Sequence, residues 1–159
     1  MTKVWHYAPW KYLPAMVESE SLKTSNAGVP KEAGMLWFSA NQHWEHTATK
    51  IVRDSAGNLF RLTFNQQAEQ FGCIRFGMYS KDLRLLNWKN ACAAAGTPSE
   101  SRRMLEKVGK KMGADPAQWF ATTTSVPLTD LHFQIWIGQW CDATSPKDMA
   151  DSWINAQGT

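Results

Sequence analysis

Residues 130–140 read DLHFQIWIGQW. Leu131, Phe133, Ile135 and Ile137 alternate there with His132, Gln134 and Trp136. A period of two puts successive side chains on opposite faces of a strand. One face of this late strand is therefore apolar, and the other carries an imidazole, an amide and an indole. If the strand is central, the polar face points into a cleft; the plainer alternative is an amphipathic strand with a wet face.

Working back from it, KVWHY at 3–7 reads as an opening strand ended by Pro9, and YLPAMVESE at 12–20 as a short helix with Pro14 in its first turn. The Ser-, Asn-, Gly- and Pro-rich stretch 24–34 reads as loop, 35–39 (MLWFS) as a second strand and 40–50 as polar and irregular. NLFRLTF at 58–64 follows the turn DSAGN and reads as a strand, and GCIRFGM at 72–78 as another. Helices are expected over 82–95 and over 101–113, the latter capped by Ser99 or Ser101, with a further helical turn or two at DPAQWF. The tail from about 142 is less ordered, with a short helix available in DMADSWINA. Strict alternation of strand and helix is absent. This predicts one α+β domain over 1–159 with a curved, mostly antiparallel sheet.

Composition narrows the function classes. A chain of 159 residues with 43% hydrophobic and 19% charged residues is globular. A net charge of +3 is too weak to imply nucleic acid by itself. The basic run Arg102, Arg103, Lys107, Lys110, Lys111 reads as a solvated helix face. Nine Trp is a high count for this length; most would fill the core, and some should line a cleft or seal its rim. Cys73, Cys92 and Cys141 lack metal-ligand spacing, and their odd number argues against a secreted disulfide scaffold. No signal peptide or long apolar run is seen, so a cytoplasmic protein without a membrane partner is expected.

Four stretches place polar or aromatic residues where packing does not ask for them. His6 lies in the opening strand beside Tyr7. Ser39 ends the second strand, and Glu45 follows between His43 and His46. That trio lacks the i, i+4 spacing of a helical zinc motif, so no metal is expected. Arg75 stands among apolar residues between Gly72 and Gly77, either paired with a carboxylate or facing a bound anion. Gln134 completes the set; its amide bridges hydroxyls but cannot act as an acid or base near neutrality.

VWHYAPWKYLPAMVESESLKT with GMLWFSAN resembles the start of the ADP-ribosyltransferase superfamily, which spans diphtheria-toxin-like, poly-ADP-ribose polymerase, DarT-like and RNA 2′-phosphotransferase domains. AGVPKEAGMLWFSANQHWEHTATK more narrowly resembles a group of bacterial and phage proteins that brings no activity with it. The resemblance implies a split, curved sheet with flanking short helices, and a cleft lined by the first, second and last strands. It implies NAD as cofactor. His6 would hold ribose hydroxyls beside Tyr7, and Trp37, Phe38 or Ser39 would form the nicotinamide wall. Arg75 would meet a phosphate, and Gln134 would take the late-strand catalytic position. The family carries Glu at that position, and Glu45 would compensate. The acceptor would be a protein or a nucleic acid. Two alternatives stand beside it: an inactive nucleotide- or nucleic-acid-binding member of the same fold, and a protein-interaction module.

Overall fold

The computed structural model describes residues 2–26, 29 and 31–158. Lys3–Ala8 forms β1, and the short helix α1 (Leu13–Ser19) follows with Pro14 in its first turn. Strands β2 (Ser21–Leu22) and β3 (Leu36–Ser39) come next, then the hairpin β4 (Ile51–Arg53) and β5 (Leu59–Arg61). Helix α2 (Phe64–Phe71) leads to β6 (Ile74–Tyr79) and β7 (Leu86–Asn87). Helices α3 (Trp88–Ala95) and α4 (Ser99–Lys111) precede β8 (Trp119–Thr122), β9 (Val126–Pro127), β10 (His132–Trp136) and β11 (Trp140–Asp142). Helix α5 (Pro146–Gln157) closes the described chain and packs against α1, with Trp153 stacked on Trp10.

The α+β class and the antiparallel pairing match the sequence, but the expected split, curved sheet does not form. Seven strands run in one open sheet in the order β11-β10-β6-β1-β3-β8-β7. Every adjacent pair is antiparallel. The fold expected from the resemblance needed the first, second and last long strands to border one cleft. Here β6 lies between β10 and β1 and takes up the hydrogen-bonding edge of both.

Register settles which side chains share a face. Tyr7 pairs with Arg75 and Arg75 with Gln134, while His6 pairs with Phe76 and Phe76 with Phe133. Paired residues point the same way and neighbours along a strand point oppositely. One face therefore carries Val4, Ile74, Phe76 and Phe133 and buries them beneath Leu13 of α1 and Ala150 of α5. The other carries Trp5, Tyr7 and Cys73, covered by Trp44 and by Phe64 of α2. A sheet covered on both sides explains why β6 is buried from Ile74 to Met78.

Local expectations fail where tertiary pairing or an unread cap decides. Thr63 accepts from the Gln66 amide while Gln66 reaches back to Thr63, a capping box that starts α2 where a strand was expected through residue 64. In DPAQWF, Asp115 caps only a single 3-10 turn; Trp119–Thr122 then extend as β8 against β3. The helix expected from 82 begins at Trp88, capped by Asn87. Pro98, not a serine, stands at the N-cap of α4.

Candidate functional site

The sheet face that carries Trp5 and Ser39 does not end in packed core. Between it, α3 and α4 lies an open cavity of about 870 Å³. Four tryptophans, Trp5, Trp37, Trp88 and Trp119, line it. Trp37 at 37% exposure sits at the mouth, and its ring lies 5.4 Å from Trp88. Trp88 meets the buried Trp119 edge-on at 4.9 Å. Met35, Cys92 and Ala95 add apolar lining, and Met104, Leu105, Val108 and Met112 of α4 form the rim. Burial holds the Cys92 thiol up at about 11, so it is a packing residue at neutral pH.

Glu45 is the buried charged group of this lining, to which the less buried Glu32 and Arg61 also belong. It is 7% exposed and borders the cavity. Ser39 Oγ donates to its Oε2 at 2.7 Å. Its Oε1 accepts from Thr47 N at 3.2 Å, Thr47 Oγ1 at 2.8 Å and Trp119 Nε1 at 3.1 Å. All four donors are neutral. Among the described residues no ion pair reaches this carboxylate. With three bonds on Oε1 and one on Oε2, acceptor capacity remains on Oε2.

His6 also borders the cavity. Its Nδ1 lies 2.8 Å from the Trp37 carbonyl oxygen, which can only accept, so Nδ1 carries the proton and Nε2 the lone pair. Burial pushes its pKa below the usual histidine value; the Trp37 carbonyl opposes this and the Lys50 charge adds to it. Tyr7 lines the same space, with its hydroxyl donating to Asn41 O at 2.6 Å. Burial raises this phenol to about 12, against the pull of Arg75.

The cavity thus gathers Tyr7, Trp37, Ser39 and Glu45, while His6 reaches its lining from the opposite face of the sheet, where its ring meets Phe38 at 6.0 Å. Phe38 reaches its lining from a strand position whose side chain is in the opposite core, 3% exposed. Gln134 and Arg75 are elsewhere. His6 and Gln134 were expected to face each other, but the register puts them on opposite faces of the sheet.

Arg75 is 5% exposed and is held by neutral partners within the fold. Its guanidinium lies between the rings of Trp5 at 3.8 Å and Trp140 at 4.3 Å. Its Nε donates to Gln134 Oε1 at 2.8 Å, a second N–H reaches the same oxygen, and Nη1 donates to Gln42 O at 2.6 Å. Gln134 passes the interaction on to Asp142 at 2.9 Å, which also meets His132 at 2.6 Å. Those two bonds, with Gln134 the larger influence, hold the Asp142 carboxyl below its usual range. The flanking glycines serve tryptophans rather than a ligand. A Cβ on Gly77 would stand 2.6 Å from Trp5, and one on Gly72 2.0 Å from Trp10.

Sequence reasoning missed Trp88 and Trp119. The high tryptophan content pointed to a lined cleft, but nothing in the chain said which indoles would line it. Among the described residues no three His, Cys, Asp or Glu side chains group so as to hold a metal, and no helix is long and apolar enough to cross a membrane. No family model, curated protein sequence or solved structure matches the chain.

Proposed function

We propose that the chain binds a flat, positively charged organic ligand in the tryptophan-walled cavity, with Glu45 as its polar anchor. One observation carries this: a buried carboxylate, hydrogen-bonded only by neutral donors, stands at the floor of a cavity walled by indoles. Burying a carboxylate without a counter-charge costs several kcal/mol. A cation entering the cavity would offset that cost and would meet indole faces, which attract cations. The volume falls within the roughly 300–1,000 Å³ of small-molecule sites.

The test uses ring compounds that differ in charge. N-methylnicotinamide, a flat cation, should raise the melting temperature and quench tryptophan fluorescence, and neutral nicotinamide should do so far less. Glu45→Gln keeps the shape and should abolish the preference. Equal binding of the two compounds, or unchanged preference in Glu45→Gln, would sink the reading.

A second reading is favoured by the company Glu45 keeps. His6, Tyr7, Trp37 and Ser39 share its cavity, part of the set that the transferase resemblance would use around NAD; Arg75 and Gln134 of that set lie outside it. In that reaction the C1′–N bond breaks and its electron pair leaves on nicotinamide. Positive charge grows on the ribose, and an acceptor O–H adds to C1′ while losing its proton to a base. Glu45 would face the growing charge in place of Gln134, and His6 Nε2 would take the proton. Nicotinamide release from NAD, lost in Glu45→Gln, supports it. Binding of NAD without release leaves the chain a nucleotide-binding protein.

A further inference from the structure

We propose that α4 and the β4–β5 hairpin seat the chain peripherally on an anionic lipid surface. The proposal does not depend on what the cavity holds. An amphipathic helix ordinarily turns its apolar stripe into the core. Helix α4 lays its stripe along the rim of the open cavity instead, and little covers it. The helix is fastened through Gly109, whose missing side chain admits Trp119, and through Glu106, which accepts from Trp88 Nε1 at 2.7 Å. Its aliphatic stripe, at the cavity rim, stays largely in solvent: Met104 is 61% exposed, Leu105 50% and Val108 49%. Beside that stripe Arg103, Lys107, Lys110 and Lys111 are all exposed and, with Glu106, frame a surface groove of about 510 Å³.

Across the cavity mouth the hairpin repeats the combination. Arg61 at its base borders the cavity, and Ile51, Leu59 and Phe60 are 55%, 63% and 42% exposed among Lys50, Arg53 and Arg61. Exposed aliphatic side chains edged by Lys and Arg suit a helix lying in the plane of a membrane, with apolar groups in the headgroup boundary and cations on anionic lipid. Two copies of this chain would bring like charges together, which disfavours self-association. Single-stranded nucleic acid would use the cations, but it stacks on aromatic faces and gains little from Met, Leu, Val and Ile. No described helix crosses a membrane, so the attachment is to the surface. It departs from the expectation of no membrane partner, which rested on the lack of a spanning segment.

Co-sedimentation of the full chain with lipid vesicles tests it. Vesicles of phosphatidylcholine mixed with phosphatidylglycerol should pellet the chain, pure phosphatidylcholine should not, and added salt should release it. Replacing Lys107 and Lys111 together by Gln should lower partitioning roughly ten- to thirtyfold. Leu105→Ser with Val108→Ser should lower it without removing the salt dependence. Should the serine variant not fold, the lysine pair decides alone. Equal pelleting with both vesicle types, no pelleting with either, or tighter retention on a single-stranded RNA oligonucleotide than on vesicles would overturn the proposal.

Discussion

Replacing Gly109 by Ala tests the packing that builds the cavity wall, because two effects of opposite sign meet at that residue. In an exposed helix interior, Gly→Ala stabilises by about 1 kcal/mol through backbone entropy. Here a Cβ would stand 2.5 Å from one carbon of the Trp119 ring and 2.6 Å from the next. Carbon atoms rest at about 3.5–4.0 Å, so ring and helix must part by roughly 1 Å. Trp119 cannot easily yield. It is 8% exposed, meets Trp88 on one side and donates to the buried Glu45. Moving the helix costs about 1–3 kcal/mol in strain; swinging the ring forfeits a hydrogen bond to a charged group, about 1.5–3 kcal/mol. Set against the entropic gain, the net loss reaches about 2 kcal/mol. For a chain of this length that is a fall in melting temperature of up to roughly 8 °C. Calorimetry reads it directly. The cycle with Trp119→Phe isolates the clash: with the smaller ring, Gly109→Ala should cost less than it does in the wild type or become stabilising. A Gly109→Ala protein that melts at or above the wild type would refute the reasoning.

Three further outcomes follow from the site. Arg75→Lys keeps the charge but loses the planar fork and the stack between Trp5 and Trp140, so urea denaturation should show a loss of about 2–4 kcal/mol, and an unchanged midpoint would mean the stack carries little. Gln134→Glu should leave nicotinamide release from NAD at the wild-type level, because the side chain lies outside the cavity; a clear rise would return Gln134 to the reacting centre. The pKa of His6 is depressed in the folded chain, so the unfolded chain takes up its proton first and stability should fall as pH drops below about 6.5, the ordinary value. Melting curves between neutral and mildly acid pH should be flatter for His6→Asn, and parallel curves for the two proteins would remove His6 as the cause.

Strand β10 and helix α4 could be read from the sequence because each carries its own period. The alternation from Leu131 to Trp136 and the stripe Leu105, Val108, Met112 are local signals that folding did not override. Strand β8 could not be read that way. Its Asp-Pro start is a good helix opening, and only pairing with β3 and β7, distant in sequence, makes Trp119–Thr122 extended. Helix α2 differs again: Thr63 and Gln66 spell a capping box, and the alternating LFRLTF before it hid a legible signal. The order of strands was the least accessible. Nothing local says that β6 will stand between β1 and β10, and that insertion removed the expected cleft.

The same insertion explains how the candidate site was half legible. Tyr7, Trp37, Ser39 and Glu45 are near one another in sequence order along β1, β3 and the loop after β3, so pairing those two strands brings them together, with His6 reaching the same lining from the opposite face. Trp5 opposite Ser39 is that pairing. Gln134 and Arg75 needed a long-range guess about register, and a neighbour's parity decides the face. The outcome is two buried charges, Arg75 and Glu45, each supported by neutral partners, with Tyr7 the residue that both influence. A direct ion pair would have satisfied both charges internally and closed Glu45 to any ligand. Arg75 instead spends its donors on Gln134 and Gln42, and Glu45, bordering the cavity, keeps acceptor capacity on Oε2. That separation is hard to account for as core packing, which would favour pairing the charges or replacing them by apolar groups. It is what a site needs if its carboxylate is to meet a charge that arrives from outside.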